Sequence, residues 1–136
     1  IFFGGDGMDG MLAVEGFDAG SVEGLLLMTP YNVGDPSTRN TTFVDSYKKL
    51  SGGIEPNQFA ADGYDCMYAI YEACCKLDGI ADMDSAALCD ALSALFTGGE
   101  FKVDGLTGSG MSWLPTGEVS KSPMVVKVQN GAYVDP

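Results

Sequence analysis

The sequence contains no histidine. That absence removes Ser-His-Asp and Cys-His catalytic arrangements, imidazole metal sites and the commonest general base together. Basic residues are scarce. Seven Lys+Arg stand against 19 Asp+Glu, giving a formal charge of -12 and a pI near 4.1. Nucleic acid needs a basic face and anionic lipid needs basic clusters, so the charge argues against both as partners. No apolar run approaches the roughly 20 residues of a membrane span. The four cysteines, Cys66, Cys74, Cys75 and Cys89, include no C-x-x-C pair, which argues against a zinc site. As small apolar residues they are expected as buried free thiols, with a disulfide from Cys66 or Cys74 to Cys89 as the alternative.

What is present fits one α/β domain. The chain has 136 residues, 46% of them hydrophobic, and 19 glycines. Ile1-Phe2-Phe3 reads as a buried strand. Gly4-Gly5-Asp6-Gly7 then turns into a helix expected over Met8 to Val14, with Asp9 near its start. A strand, a glycine-rich turn and a helix in succession form the place where α/β sheets bind ligands. Asp6 sits at the mouth of that turn, either facing a ligand or capping the helix. Gly24 to Met28 reads as a second strand, covered on both faces. Ser37 is a predicted N-cap for a helix running through Phe43, Tyr47 and Leu50 to Gly52-Gly53.

The longest helix is expected from Phe59 to Leu77. Ala60, Gly63, Tyr64, Met67, Ile70, Tyr71 and Cys74 form its apolar stripe, and Asp62 and Asp65 serve the positive end of its dipole. Asp82 to Ser85 caps a further helix, with Ala87, Leu88, Leu92 and Leu95 inward, that stops at Gly98-Gly99. Beyond it, Phe101 to Val103 and Met111 to Leu114 read as strands. Pro115 to Glu118 is a turn, and Asn130-Gly131 joins Met124–Val128 to Ala132–Val134 as a hairpin.

Candidate chemistry is sparse. The carboxylate pairs Asp62/Asp65 and Asp82/Asp84 lie at helix starts, where capping accounts for them. Asp104-Gly105-Leu106-Thr107-Gly108 lacks the lysine and the glycine spacing of a phosphate loop. Tyr64, Tyr71 and Trp113 are expected in the core. No acid, base and nucleophile come together, so no catalytic constellation stands out and no cofactor is implied.

Six stretches in order resemble the C-terminal part of branched-chain amino-acid-type ABC transporter substrate-binding proteins, which are type I periplasmic binding proteins. They are Ile1 to Gly7, Val22 to Pro30, Phe43 to Lys49, Glu55 to Asp65, Phe101 to Gly108 and Gly117 to Pro123. The resemblance covers essentially the whole chain. It implies a three-layer α/β fold, present as an incomplete C-terminal fragment with a terminal β-hairpin. The start at Ile1, inside a strand and with no lead-in, also suggests a fragment of a longer protein. Residues 1–31 and 119–136 would belong to one lobe and 32–118 to the other.

In this family two lobes close on a small ligand, usually an amino acid or a related compound, so the resemblance implies a binding module, not an enzyme. The resemblance implies that Asp6 accepts hydrogen bonds from the ligand ammonium, with Gly5 and Gly7 leaving room beside it, and that Phe59 contacts the ligand. A carboxylate in a partly dry cleft makes a strong charge-assisted bond to an ammonium. The implied partners are the small-molecule ligand and an ABC permease in the membrane. The implied location is periplasmic or extracellular, free or lipid-anchored. Incomplete lobes expose apolar surface and strand edges, so self-association is expected. Two other readings compete: a ligand-sensing domain of a regulator with the same fold, and a cysteine-dependent enzyme using Cys74-Cys75.

Overall fold

A computed structural model describes residues 2–136, so Ile1 of the first expected strand lies outside the described residues. The chain divides into two compact units. One contains the residues up to Asp62 together with Ser122–Pro136, and the other is Gly63–Lys121.

The first unit is built on a four-stranded sheet of order β1-β2-β3-β4. Its strands are β1 (Phe3–Gly4), β2 (Leu26–Thr29), β3 (Met124–Gln129) and β4 (Ala132–Val134). β2 lies parallel to β1 and antiparallel to β3, and β3 is antiparallel to β4. Leu27 is paired with Val126, and residues directly opposite in an antiparallel pair share a face. Both are buried, with Leu25 and Val128. The opposite face of β2 is open, with Met28 41% exposed. β2 is therefore buried on one face and not on two, and its alternation of exposed and buried residues is that of a half-covered strand. Phe2 and Phe3 are also exposed, where the sequence predicts burial.

The helix expected over Met8 to Val14 is replaced by two single 3₁₀ turns, Asp6–Met8 and Met11–Ala13. Gly10 between them sits at φ +86°, a left-handed conformation that an α-helix cannot contain. At the other end of the sheet Asn130 (φ +53°) and Gly131 (φ +74°) make the predicted tight hairpin. The Asn130 N–H donates to the Glu23 carboxylate at 2.9 Å. Helix α1 (Thr38–Ser51) starts as predicted, with the Ser37 hydroxyl accepting from the Asn40 N–H, and closes at Gly52. It buries Phe43, which meets Tyr31 edge-on at 6.2 Å. Buried Asn40 uses both ends of its amide. It donates to the Val33 and Asp35 carbonyls and accepts from the Tyr31 hydroxyl at 2.7 Å.

Helix α2 (Gln58–Lys76) gives its first turn to this unit and the rest to the second. Its buried positions are Gln58, Ala61, Asp65, Ala69 and Ala73, not the predicted stripe. Met67, Ile70 and Tyr71 of that stripe are 68%, 46% and 65% exposed. Both faces of α2 are apolar at helical spacing, so periodicity alone cannot choose between them. The alanine face is the one buried in each unit.

In the second unit Ala69 and Ala73 contribute to a core with Phe101 and Val103, flanked by Leu92, Leu95, Phe96 and Trp113. Leu92 and Leu95 come from α3 (Ser85–Thr97), which Asp84 caps through the Ala87 N–H; Ala87 itself faces outward, against expectation. Phe96 stands edge-on to both Phe101 (5.0 Å) and Trp113 (4.5 Å). The two expected strands around this core reduce to isolated bridges, Val103 to Met111 and Trp113 to Val119.

The four cysteines are free. Cys66, Cys75 and Cys89 are exposed and Cys74 is half-buried, so they do not form the core expected of them. Cys66, Cys74 and Cys75 lie on α2 off its buried alanine face, and Cys89 lies on the outer side of α3. No described helix is long and apolar enough to cross a membrane.

Asp65, expected to serve the helix dipole, has a different task. It is 4% exposed, and its carboxylate accepts from the Leu106 N–H (2.7 Å), the Thr107 N–H (2.8 Å) and the Thr107 hydroxyl (2.6 Å). Lys121 donates to the same Thr107 oxygen at 2.6 Å. The loop from Asp104 to Gly110 is thus wound around one buried carboxylate, and a Cβ at Gly105 would collide with it. Asp65→Asn should lower stability by about 2–3 kcal/mol, since three donors lose a charged acceptor. Gly105→Ala should also destabilise, and urea unfolding of the two variants checks both.

Candidate functional site

The predicted ligand turn and the predicted aromatic contact belong to the same unit, and one side chain joins them. Gln58, at the first position of α2, is 1% exposed. Its amide NH₂ donates to the backbone carbonyl of Asp6 at 2.7 Å, and its amide oxygen accepts from the Thr29 hydroxyl at 2.9 Å. Its backbone N–H donates to the Asp9 carboxylate at 2.6 Å. Phe59 follows directly and is 53% exposed. The turn of Gly5, Asp6 and Gly7 is therefore fastened to the residue that precedes Phe59.

All three turn residues are exposed. Asp6 opens the first 3₁₀ turn, and no side-chain cap bond forms there, so it does not serve as a helix cap. Asp9 does, but for a different helix from the one expected. One of its oxygens takes the Gln58 N–H at the start of α2 and the other takes the Gly10 N–H at 2.8 Å. A carboxylate there satisfies an orphan donor and faces the positive end of the α2 dipole. Gln58 and Asp9 are the members of the arrangement that sequence reasoning missed as such. No local signal marks them: Gln58 stands among Glu55, Asn57 and Asp62 at a helix start, where polar residues are ordinary.

Beside this network lies a cavity of about 390 Å³. Asp9, Thr29, Tyr31, Glu55, Asn57 and Tyr133 contribute its polar wall, and Leu12 and Val126 part of its apolar wall. Gly5, Asp6, Gly7 and Phe59 do not line it. Burial, with Glu55, Asp9 and Asp35 adding to it, pushes the Tyr31 hydroxyl well above the usual tyrosine range. Burial and Asp9 push Tyr133 up to about 12, while the Gly10 and Leu12 amides pull slightly the other way. The Tyr133 hydroxyl is enclosed without reaching hydrogen-bond geometry to any partner among the described residues. Glu55 is held at the surface by Lys48 at 2.6 Å, an exposed pair of small energetic value.

The Cys74-Cys75 pair lies on α2, apart from these residues in sequence. Its accessible member, Cys75, has the exposed Tyr71 hydroxyl as neighbour, which raises the Tyr71 pKa. Among the described residues no group of acidic or cysteine side chains is arranged to hold a metal ion.

No protein-family model matches the chain, and no curated protein matches it. Solved structures do. The branched-chain amino-acid transporter substrate-binding protein LivJ of Streptococcus pneumoniae, in complex with isoleucine, is 21% identical with a TM-score of 0.71, over 98% of this chain and 37% of that one. The leucine-binding protein LivK of Thermotoga maritima is 25% identical with a TM-score of 0.64, over 98% and 37%. An ABC transporter solute-binding protein of Rhodopseudomonas palustris, in complex with 3,4-dihydroxybenzoic acid, is 27% identical with a TM-score of 0.71, over 93% and 32%. The chain thus spans about a third of the length of the structures it matches. It resembles branched-chain amino-acid-type substrate-binding proteins, as its motifs imply, and its α/β fold with a terminal hairpin is part of the type I periplasmic-binding-protein fold.

The Tyr133 environment carries a pH signature. In an unfolded chain tyrosine ionises near pH 10, whereas the folded unit retains the proton up to about pH 12. The stabilisation is complete below pH 10 and is lost as pH rises through that window, because only the unfolded state has released the proton. Denaturant unfolding from pH 9 to 12 should show this fall, and Tyr133→Phe should reduce it.

Proposed function

We propose that the chain is the C-terminal portion of an extracytoplasmic solute receptor, which binds an amino acid or a similar small polar solute and delivers it to an ABC permease. The observation that carries this reading is the fastening of the Gly5-Asp6-Gly7 turn to the start of α2, within a fold shared with amino-acid-binding proteins. In this reading Asp6 accepts hydrogen bonds from the ligand ammonium. Gly5 and Gly7 leave the approach open, and Phe59 lies against the ligand. Hinge closure of the lobes of the full-length receptor buries the ligand. The protein works in the periplasm or outside the cell.

The acidic residue also separates ligand classes. A carboxylate at the turn attracts an ammonium and repels a carboxylate, so an amino acid is favoured over an aromatic acid such as the one bound by the Rhodopseudomonas neighbour. Calorimetric titration of the full-length protein with the twenty common L-amino acids and 3,4-dihydroxybenzoate tests this. At least one amino acid should bind, and Asp6→Ala should weaken it by about 30-fold, or about 2 kcal/mol. Binding of the aromatic acid alone, or of nothing, overturns the reading. Amino-acid binding that ignores Asp6→Ala removes Asp6 from the site.

The 136-residue chain by itself is proposed to self-associate. Phe2 in the first unit and Met67 and Tyr71 in the second are each more than half exposed, and exposed apolar surface favours association. Light scattering at micromolar concentration should report species larger than a monomer; a monodisperse monomer would overturn the proposal.

A further inference from the structure

We propose that Gln58 is the positioning residue of the ligand site: its side-chain amide holds the backbone carbonyl of Asp6 and so sets where the Asp6 carboxylate meets a ligand ammonium. This rests on the receptor reading, and adds to it a residue that touches no ligand itself.

The direction of the amide is fixed by chemistry. A carbonyl can only accept, so the group 2.7 Å from the Asp6 oxygen must be the NH₂, and the amide oxygen is left to the Thr29 hydroxyl. That hydroxyl oxygen in turn receives the Tyr31 N–H at 3.2 Å. The result is one polarised run of hydrogen bonds, from the Tyr31 amide through Thr29 and Gln58 to the Asp6 carbonyl, each donor reinforced by the one behind it. A second tether, from the Gln58 N–H to the Asp9 carboxylate, holds the same turn three residues further on. Two tethers from a single buried residue fix both the height and the rotation of the turn.

The next residue along the chain is Phe59. The spacing between the proposed acidic and aromatic ligand contacts is therefore held at Gln58, which lies 52 residues beyond Asp6 in the chain. A glutamate at this position would be isosteric and wrong. It would present an oxygen to the Asp6 carbonyl and place a second negative charge near Asp9. An apolar residue of similar length would fill the space and release the turn.

The experiment is a double-mutant cycle in the full-length protein, with Gln58→Met, Asp6→Ala and the pair, titrated with each of the twenty L-amino acids and followed in parallel by thermal unfolding. Gln58→Met should weaken amino-acid binding by about tenfold in the wild-type background and change it by less than about twofold once Asp6 is alanine. If the folded variant binds as tightly as wild type while unfolding at lower temperature, Gln58 is only structural and the inference is overturned. An equal loss in both backgrounds overturns it too, because the effect would then not pass through Asp6. If Asp6→Ala weakens binding and Gln58→Met does not, the receptor reading stands and the inference alone falls. If no amino acid binds the wild type, both fall. Should Gln58→Met fail to fold, Thr29→Val, which removes the donor to the Gln58 oxygen with little change of shape, takes its place. It should show a smaller loss that again vanishes with Asp6→Ala, and an unchanged affinity counts against the inference.

Discussion

The contact between Leu27 on β2 and Val126 on β3 joins stretches of chain about a hundred residues apart, and the first unit depends on it. β2 carries β1 on one side and β3 on the other, and β3 in turn lies between β2 and β4, so these two are the inner strands of the sheet. The inward Leu27 of β2, with Leu25 just before the strand, meets Val126 and Val128 in this register. A slip of one residue would turn Met28 inward and Leu27 to solvent, so a single face of burial specifies the pairing. The end of β2 then presents Thr29 to Gln58, and Gln58 in turn holds the Gly5-Asp6-Gly7 turn.

Buried polar groups of the two units solve different problems in a similar way. In the first unit a neutral amide, Gln58, bridges a carbonyl and a hydroxyl; in the second a charged carboxylate, Asp65, gathers two backbone amides and a hydroxyl. Each fixes a loop whose own side chains are too small or too polar to pack. Such groups are costly to bury unless every partner is present, which makes the loop geometry unique as well as stable.

Much of this was legible in the sequence where the cause is local. Ser37 and Gly52 bracket α1 because capping involves only neighbours, and Asn130-Gly131 dictates its hairpin through backbone conformation. The fold class followed from six motifs in order. What was not legible depends on partners far along the chain. Gly10 interrupts a stretch of good helix formers, and two 3₁₀ turns result. The apolar face of α2 was assigned to Met67, Ile70 and Tyr71, yet alanines on another face are buried, because two faces satisfied the same period. Asp65 and Gln58 were hidden for a related reason. A carboxylate or an amide near a helix start has an adequate local explanation, and only the position of residues 106 and 107, or of Asp6, reveals the distant one. Asp6, with Gly5 and Gly7, is legible as the mouth of a strand and glycine-rich turn, and Phe59 only through the resemblance; Gln58, which joins the turn to the start of α2, carries no such mark.

The mixed sheet also constrains how the molecule is made. β2 is synthesised about a hundred residues before its antiparallel neighbour β3. Over that interval this edge of β2 has no native partner, and Leu25 and Leu27 lack Val126 and Val128 to pack against. Loop closure over about a hundred residues must then precede any gain from the sheet, which makes such a unit slow to form and dependent on its final segment. The order of synthesis thus holds the first unit open until β3 and its hairpin partner arrive.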